Sequence, residues 1–517
     1  MQDLGKQAKD CRWLLATLPV ALALLAAGCD VAAPPKPRSS QPAQPVAQLP
    51  EETWEVLQMQ GSRVGYRHTT IRPLSERGQS LQEVTTELVL RVARFGDSTQ
   101  TRLNVVSVEA PDGELVRFES RTMMGPSEAV VKGQVEGDQL VIDSSGQRQT
   151  LPWDRNDRGF LAVEQSLAAK PLGPGEHRSI RSLSPPPLLQ VATTTLVARK
   201  LEPTKLLSGD EELLRIDAST AVGNGQTMKT TFWTDAKGLV KKTRFADLDM
   251  DSYTTIRQVA LHDDGAPAFD LGSFSTVKLD RPLPAGHETP RATYRVTLKG
   301  DDPAKIFPGG PSQKVTSLGS DSAEITVRAV HPDTPADNFP AGNGPPTPAD
   351  LEPNSLVQSN DPKVVELAER AAGGRKDAWT VAKLLEEFVR RSIKEKNFSQ
   401  AFASAADVAN TLEGDCTEHA VLLAALARAN GIPARVAIGL VYMPNDEGFG
   451  YHMWNELWID GRWIPLDGTL GLGGIGAGHL KLTDSNLAGA DGYSSFLPVA
   501  QVLGRLKIEV LPEAGQR

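Results

Sequence analysis

The residues best suited to chemistry lie in the last quarter of the chain. Gly414-Asp415-Cys416-Thr417-Glu418-His419-Ala420 leads into VLLAALARANGIPAR. Asp415 reads as an N-cap, and Glu418 three residues on completes an Asp version of the capping box. The apolar run continues to Ala429 and should end at Asn430-Gly431, with Pro433 barring continuation. Cys416 then falls at the first helical position, where unpaired N–H groups and the helix dipole favour a thiolate. A structural cysteine would sit more comfortably mid-helix among the leucines. A thiol nucleophile needs an imidazole to take its proton, and a carboxylate or amide to hold that ring.

Both partner types occur downstream, in Tyr451-His452-Met453-Trp454-Asn455-Glu456-Leu457-Trp458-Ile459-Asp460-Gly461-Arg462-Trp463-Ile464-Pro465-Leu466-Asp467. Asp460-Gly461 between two apolar runs predicts a two-residue hairpin turn. That turn would set Ile459 opposite Arg462, Trp458 opposite Trp463, and so on to Trp454 opposite Asp467. Side chains alternate across a strand, so His452 would share a face with Trp454 and hence with Asp467. A slip of one residue would put Asp467 on the other face.

These segments together resemble the transglutaminase-like superfamily of papain-type folds. The resemblance rests on GDCTEHAVLLAALARANGIPAR, the HMWNELWIDGRWIPLD hairpin and the order Cys, His, Asp; it spans roughly residues 355–485. It implies that Cys416 is the nucleophile, His452 the general base and acid, and Asp467 the residue orienting the imidazole. Met453 stands where the family typically has Ala. For the oxyanion the Cys416 backbone N–H is one donor. Asn410, six residues upstream, is a second by similarity to the papain Gln, and Trp379 a third by similarity to the indole of animal transglutaminases. His419, one turn from Cys416, reads as a supporting or packing residue. Gly471 to Gly478 (GLGGIGAG) lacks the amphipathic helix a dinucleotide fingerprint requires, so it reads as a flexible loop edging the cleft. With no EF-hand loop or acidic cluster, neither metal nor cofactor is expected.

The chain start reads as an address. Lys6, Lys9 and Arg12 precede the apolar stretch Trp13 to Ala27, then Gly28 and Cys29. Leu25-Ala26-Ala27-Gly28-Cys29 resembles a bacterial lipobox, which implies that Cys29 carries lipid; a plain signal peptide cut nearby is the alternative. By similarity to enterobacterial lipoproteins, Asp30 favours the inner membrane. Cys11 would leave with the leader, so Cys416 is the single mature thiol. No intramolecular disulfide and no multi-cysteine zinc site is then possible.

The remaining elements must carry this site. The 517 residues, at roughly 150 per domain, suggest about three domains. The 40% hydrophobic and 23% charged composition excludes wholesale disorder, and a net charge of −9 without a basic block excludes a polybasic nucleic-acid binder. The fold class expected is multidomain: a β-rich antiparallel N-terminal region followed by an α+β papain-like C-terminal domain. The divisions are a signal peptide (1–28), a Pro/Ala/Gln-rich tether (29–52), β-rich domain or domains (53–285), a small β unit (286–331), a Pro/Gly linker (332–354) and the transglutaminase-like domain (355–512). Short alternating runs split by Asp112-Gly113, Glu136-Gly137 and Lys237-Gly238 carry the β reading. One curved sheet and two similar halves both fit, with one or two helical turns at Ala162 to Ala169.

The function expected is an envelope-anchored thiol enzyme on the periplasmic side. It would act on amide bonds of a protein or peptide through a thioester, with hydrolysis and acyl transfer both open. The membrane is engaged through the N-terminal lipid, and no nucleic acid is expected. The alternatives are a non-enzymatic envelope scaffold using the same domain for binding, and a β-rich lipid or protein carrier, which would need a long apolar concavity.

Overall fold

The computed structural model describes residues 49–512 apart from 95, 124–127, 145–146, 187, 223–225, 264, 266–267, 336–338, 341, 343, 395–401 and 489–495. The leader, Cys11, Cys29, Asp30 and the tether up to residue 48 lie outside the described residues. Among the described residues no helix is long and apolar enough to cross a membrane.

The alternating runs of the first half become one sheet of fourteen antiparallel strands. Its first strand, Glu52–Met59, lies in the interior, between Ser62–Glu76 and the last strand, Met250–Thr255. On one side the strands follow in chain order to Gln147–Pro152; on the other they run back to His177–Leu183. The sheet is single and curved. Phe118, Leu140 and Ile142 of one wing share a buried cluster with Leu183 and Leu189 at the end of the other. The expected helix, Ala162–Ala169, connects the wings. Gln165 Nε2 donates to Glu109 Oε2 (3.0 Å), and Ser166 accepts from Arg178 through its carbonyl (2.6 Å). A cavity of about 910 Å³ lies beside this helix, lined by Ile71, Leu81 and Ile180 but also by Arg158, Arg178 and Arg181. That mixed lining is not the long apolar concavity a carrier would need.

Two smaller sheets carry the rest. The five-stranded sheet has the order Val277–Lys278, Gly448–Ile459, Ala434–Met443, His479–Ser485, with Arg462–Leu466 also on Gly448–Ile459. The four-stranded sheet has the order Gln313–Ser317, Ser322–Arg328, Arg291–Leu298, Leu506–Leu511. These pairings cross the boundaries drawn from the sequence. Val277–Lys278, placed with the β-rich region, is an edge of the second sheet, and Leu506–Leu511 completes the small β unit. Local alternation reports that a strand exists, not which distant strand it joins. The two sheets share a core of Tyr294, Val296, Ile325, Leu440, Phe449 and Leu480. The Pro/Gly linker is also no free spacer: its carbonyls at Thr334 and Gly344 accept from Arg462 Nη1 (2.6 Å) and Trp463 Nε1 (3.1 Å).

The cysteine helix, Cys416–Ala429, is buried on all sides from Thr417 to Arg428. Helices Pro362–Ala372, Ala378–Ser392 and Ala405–Thr411 pack around it, and the second sheet's Val436, Met453, Leu457 and Leu466 join the same core. A helix apolar all round is what such a central position requires. Its C-terminal end is held by Arg428, whose guanidinium donates to the carbonyls of Ala434, Glu352 and Asn486 at 2.9–3.0 Å.

Candidate active site

The start of the cysteine helix is fixed before any partner arrives. Asp415 Oδ1 accepts from Thr417 N (2.8 Å), and Glu418 Oε2 accepts from Asp415 N (2.8 Å), closing the capping box read in the sequence. Glu418 Oε1 also takes Ala403 N (2.9 Å), tying the preceding helix to this corner. Gly414, at φ +146°, makes room: a Cβ there would lie 2.3 Å from Glu418 Cβ. Cys416 is half-buried and free. As the first helical residue it has a backbone N–H with no intrahelical acceptor.

The hairpin takes the register expected of Asp460-Gly461. Ile459 pairs with Arg462, Trp458 with Trp463, Leu457 with Ile464, Glu456 with Pro465 and Asn455 with Leu466. Asp460 (φ 49°) and Gly461 (φ 78°) both occupy the left-handed region, as a type I′ turn needs. His452 and Asp467 therefore meet, with His452 Nε2 donating to Asp467 Oδ2 at 2.8 Å. Cys416 lies within side-chain hydrogen-bonding range of the same ring. Burial opposes a charge on His452, but Asp467 and Cys416 outweigh it and raise the imidazole to about 10. Trp454 lies nearly parallel to the ring (6.2 Å between centroids, 17°) and restricts its tilt. Asn455 Nδ2 donates to the Ala420 carbonyl (2.8 Å), strapping the histidine strand to the cysteine helix.

Asp467 has no exposed surface, and each oxygen accepts two N–H groups. Oδ1 takes Thr469 N (2.8 Å) and Leu470 N (3.2 Å); Oδ2 takes His452 and also His479 Nε2 (3.0 Å). Burial alone would raise this carboxyl. The two imidazoles hold it well below the usual range instead. A second carboxylate fixes its backbone: Glu386 Oε1 accepts from Asp467 N (3.0 Å) and Oε2 from Gly473 N (2.8 Å). Burial and then the charge of Asp467 push Glu386 up to about 7, against the N–H groups it accepts. Residues 474–478 are buried, with Ala477 N bonded to Thr289 O (2.7 Å). The glycine segment is thus a pinned turn, not the loose loop its composition suggests.

The other candidates are placed elsewhere. Asn410 is exposed, and its Nδ2 donates to Ala406 O (2.8 Å) in its own helix. Its helix closes at Leu412 in the left-handed conformation (φ 54°), and the chain turns there before reaching Cys416. The oxyanion assignment to Asn410 is therefore corrected: its amide is spent on a carbonyl one turn back. The Trp379 ring packs edge-on to His331 (6.4 Å) under Lys383 Nζ (5.2 Å). His419 Nδ1 donates to Asp415 O (2.6 Å), a helix-internal bond that keeps the ring as support. Glu386, Asn455 and His479 were missed. Glu386 had a signal, since it follows Ala382 by four on the buried stripe of Ala378–Ser392. His479 had none beyond its apolar neighbours.

Donor atoms of His452, Asp467 and His479 lie within 4.8 Å of one another, a spacing a metal ion could use. Both imidazoles present Nε2 to the same Asp467 oxygen, to which each can donate an N–H.

Residues 365–468 match the transglutaminase-like superfamily. Solved structures with similarity include a chain provisionally named a cysteine protease from Cytophaga hutchinsonii (17% identity, TM-score 0.26, covering 43% of this chain and 81% of that one). Two others are a β-barrel-like protein of domain of unknown function DUF1849 from Brucella abortus (12%, 0.31, 41% and 96%) and the periplasmic domain of TgpA from Pseudomonas aeruginosa (15%, 0.24, 36% and 74%). No curated protein matches the chain.

Proposed function

Taking the transglutaminase-like domain as the reacting part, we propose that this chain is a thiol enzyme that opens amide bonds of a protein or peptide at Cys416. The observation that carries the reading is one line of contacts: Cys416 to His452, and His452 Nε2 to Asp467 at 2.8 Å. A thiolate paired with an imidazolium attacks the amide carbonyl and forms a C–S bond. The negative oxygen is met by the Cys416 backbone N–H at the helix start. His452 then gives its proton to the leaving nitrogen as the C–N bond breaks, leaving a thioester and a free amine. Water, or an amine, loses a proton to His452 while attacking the thioester; the thiolate leaves and the ion pair is restored.

The leader and the Cys29 box support export and lipid anchoring at the cell envelope, with the folded part on the periplasmic side. Asp30 tilts the choice toward the inner membrane. Cys29→Ala should move the protein from the membrane to the soluble fraction.

The decisive experiment is acyl-enzyme trapping with a library of activated amides, read by mass spectrometry on the Cys416 peptide. An acyl adduct in the wild type, absent in Cys416→Ala, is expected. A folded protein that forms no adduct with any member would leave the domain as a binding scaffold.

A further inference from the structure

The second imidazole on Asp467 is not required by a cysteine–histidine–aspartate line, yet it is built in with care. His479 opens the strand His479–Ser485, and its side chain has no exposed surface. Its Nε2 lies 3.0 Å from the same Asp467 oxygen that His452 uses. Trp454 packs against it edge-on (5.2 Å), and the same Trp454 lies along His452 (6.2 Å). We propose that His479 is a positioning residue: as a neutral imidazole donating Nε2–H, it keeps the buried Asp467 ionised and aimed at His452. The proposal rests on the triad reading above and adds a residue to it.

The argument is one of accounting at a buried charge. Asp467 is shut off from water, so each of its four acceptor directions must be met by protein, or the carboxylate takes up a proton. Two are met by the turn backbone at Thr469 and Leu470, one by His452 and the last by His479. Since a carboxylate only accepts, His479 must carry its proton on Nε2. Burial, the first influence on His479, disfavours its charge, which suits a permanent neutral donor. The other titratable groups facing the pair are His452 on its strand, Glu386 and His419 on their helices, and His287 from the turn Gly286–Glu288 (6.4 Å from the His479 ring). Glu386 is taken up by the backbone N–H groups of Asp467 and Gly473, and His419 Nδ1 by the Asp415 carbonyl. The His287 ring packs 6.4 Å from the His479 ring, so none of the three stands in for the missing donor.

The test uses the full chain and the rate of Cys416 carboxamidomethylation by iodoacetamide from pH 3.5 to 9. His479→Phe removes the donor, and Asp467 should then protonate at higher pH; the acid limb of the profile should rise by about one pH unit. His479→Gln returns an N–H donor and should bring the limb back toward wild type. An unshifted limb in a folded His479→Phe protein overturns the proposal, and so does a Gln variant no better than Phe. If the Phe variant does not fold, ¹⁵N-histidine spectra of the wild type decide. A neutral Nε2–H tautomer of His479 from pH 5 to 9 supports the proposal, and a charged or Nδ1–H ring overturns it. A wild-type profile with an ordinary thiol midpoint would instead sink the triad reading itself, and the proposal with it.

Discussion

At Asp467 a buried carboxylate is stable only because four N–H groups converge on it, and much of the site's behaviour follows. Asp467→Asn removes the charge that holds His452 at about 10. With one amide oxygen left for acceptance, the imidazole loses both its partner and its preferred tautomer. Turnover of any amide substrate should fall on the order of 10³–10⁴-fold. The rate of Cys416 alkylation by iodoacetamide at pH 5–6 should fall with it. Glu386 makes a second prediction. Its folded value of about 7 exceeds the ordinary 4.5, so the folded protein binds more protons than the unfolded one between those pH values. Stability contributed through this group is therefore lost as pH rises from about 4.5 to 7, and levels off above. Glu386→Gln should flatten that part of a pH series of melting temperatures. An unchanged slope would show that the group ionises as freely in the fold as outside it.

At the scale of elements, the hairpin and the helix start set the distances between reacting groups, and glycine does different work in each. A Cβ at Gly461 would meet nothing within 4 Å, so Gly461→Ala should cost only the left-handed conformation, about 1 kcal/mol, with activity per folded molecule retained. At Gly414 a Cβ would run into Glu418, which must then release Asp415 N or Ala403 N. Gly414→Ala should cost well over twice as much and lower the Cys416 alkylation rate. Denaturant titrations of both variants compare them directly. These two elements were the legible part of the molecule: a capping box and an Asp-Gly turn are local chemistry, and local chemistry fixes register, which brought His452 to Asp467. What stayed hidden depends on groups far apart in the chain. Asn410 looked well spaced, but its helix ends in a left-handed turn at Leu412, which spacing alone does not reveal. His479 acquires its partner only when Ala434–Met443 pairs with His479–Ser485 beside the hairpin.

At the scale of the whole molecule, the sheet that carries the candidate site cannot be cut out along the sequence boundaries. Its edge strand Val277–Lys278 lies far upstream, and Leu506–Leu511 completes the small sheet sharing its core. A protein truncated before Leu506 should lose cooperative unfolding of the transglutaminase-like part and react more slowly at Cys416. A fragment spanning 277–512 should fold better than one spanning 355–512; equal melting transitions for the two would refute this dependence. The fourteen-stranded sheet raises a question of timing. Its interior strand Glu52–Met59 receives its second neighbour only from Met250–Thr255, about 190 residues later. At synthesis rates of about 5–20 residues per second, that is a wait of roughly 10–40 s. Throughout it, a strand bearing Trp54, Val56 and Leu57 presents one unpaired edge, a template for joining another chain. The yield of native protein is then a race between elongation and mispairing, decided before the candidate active site has been synthesised.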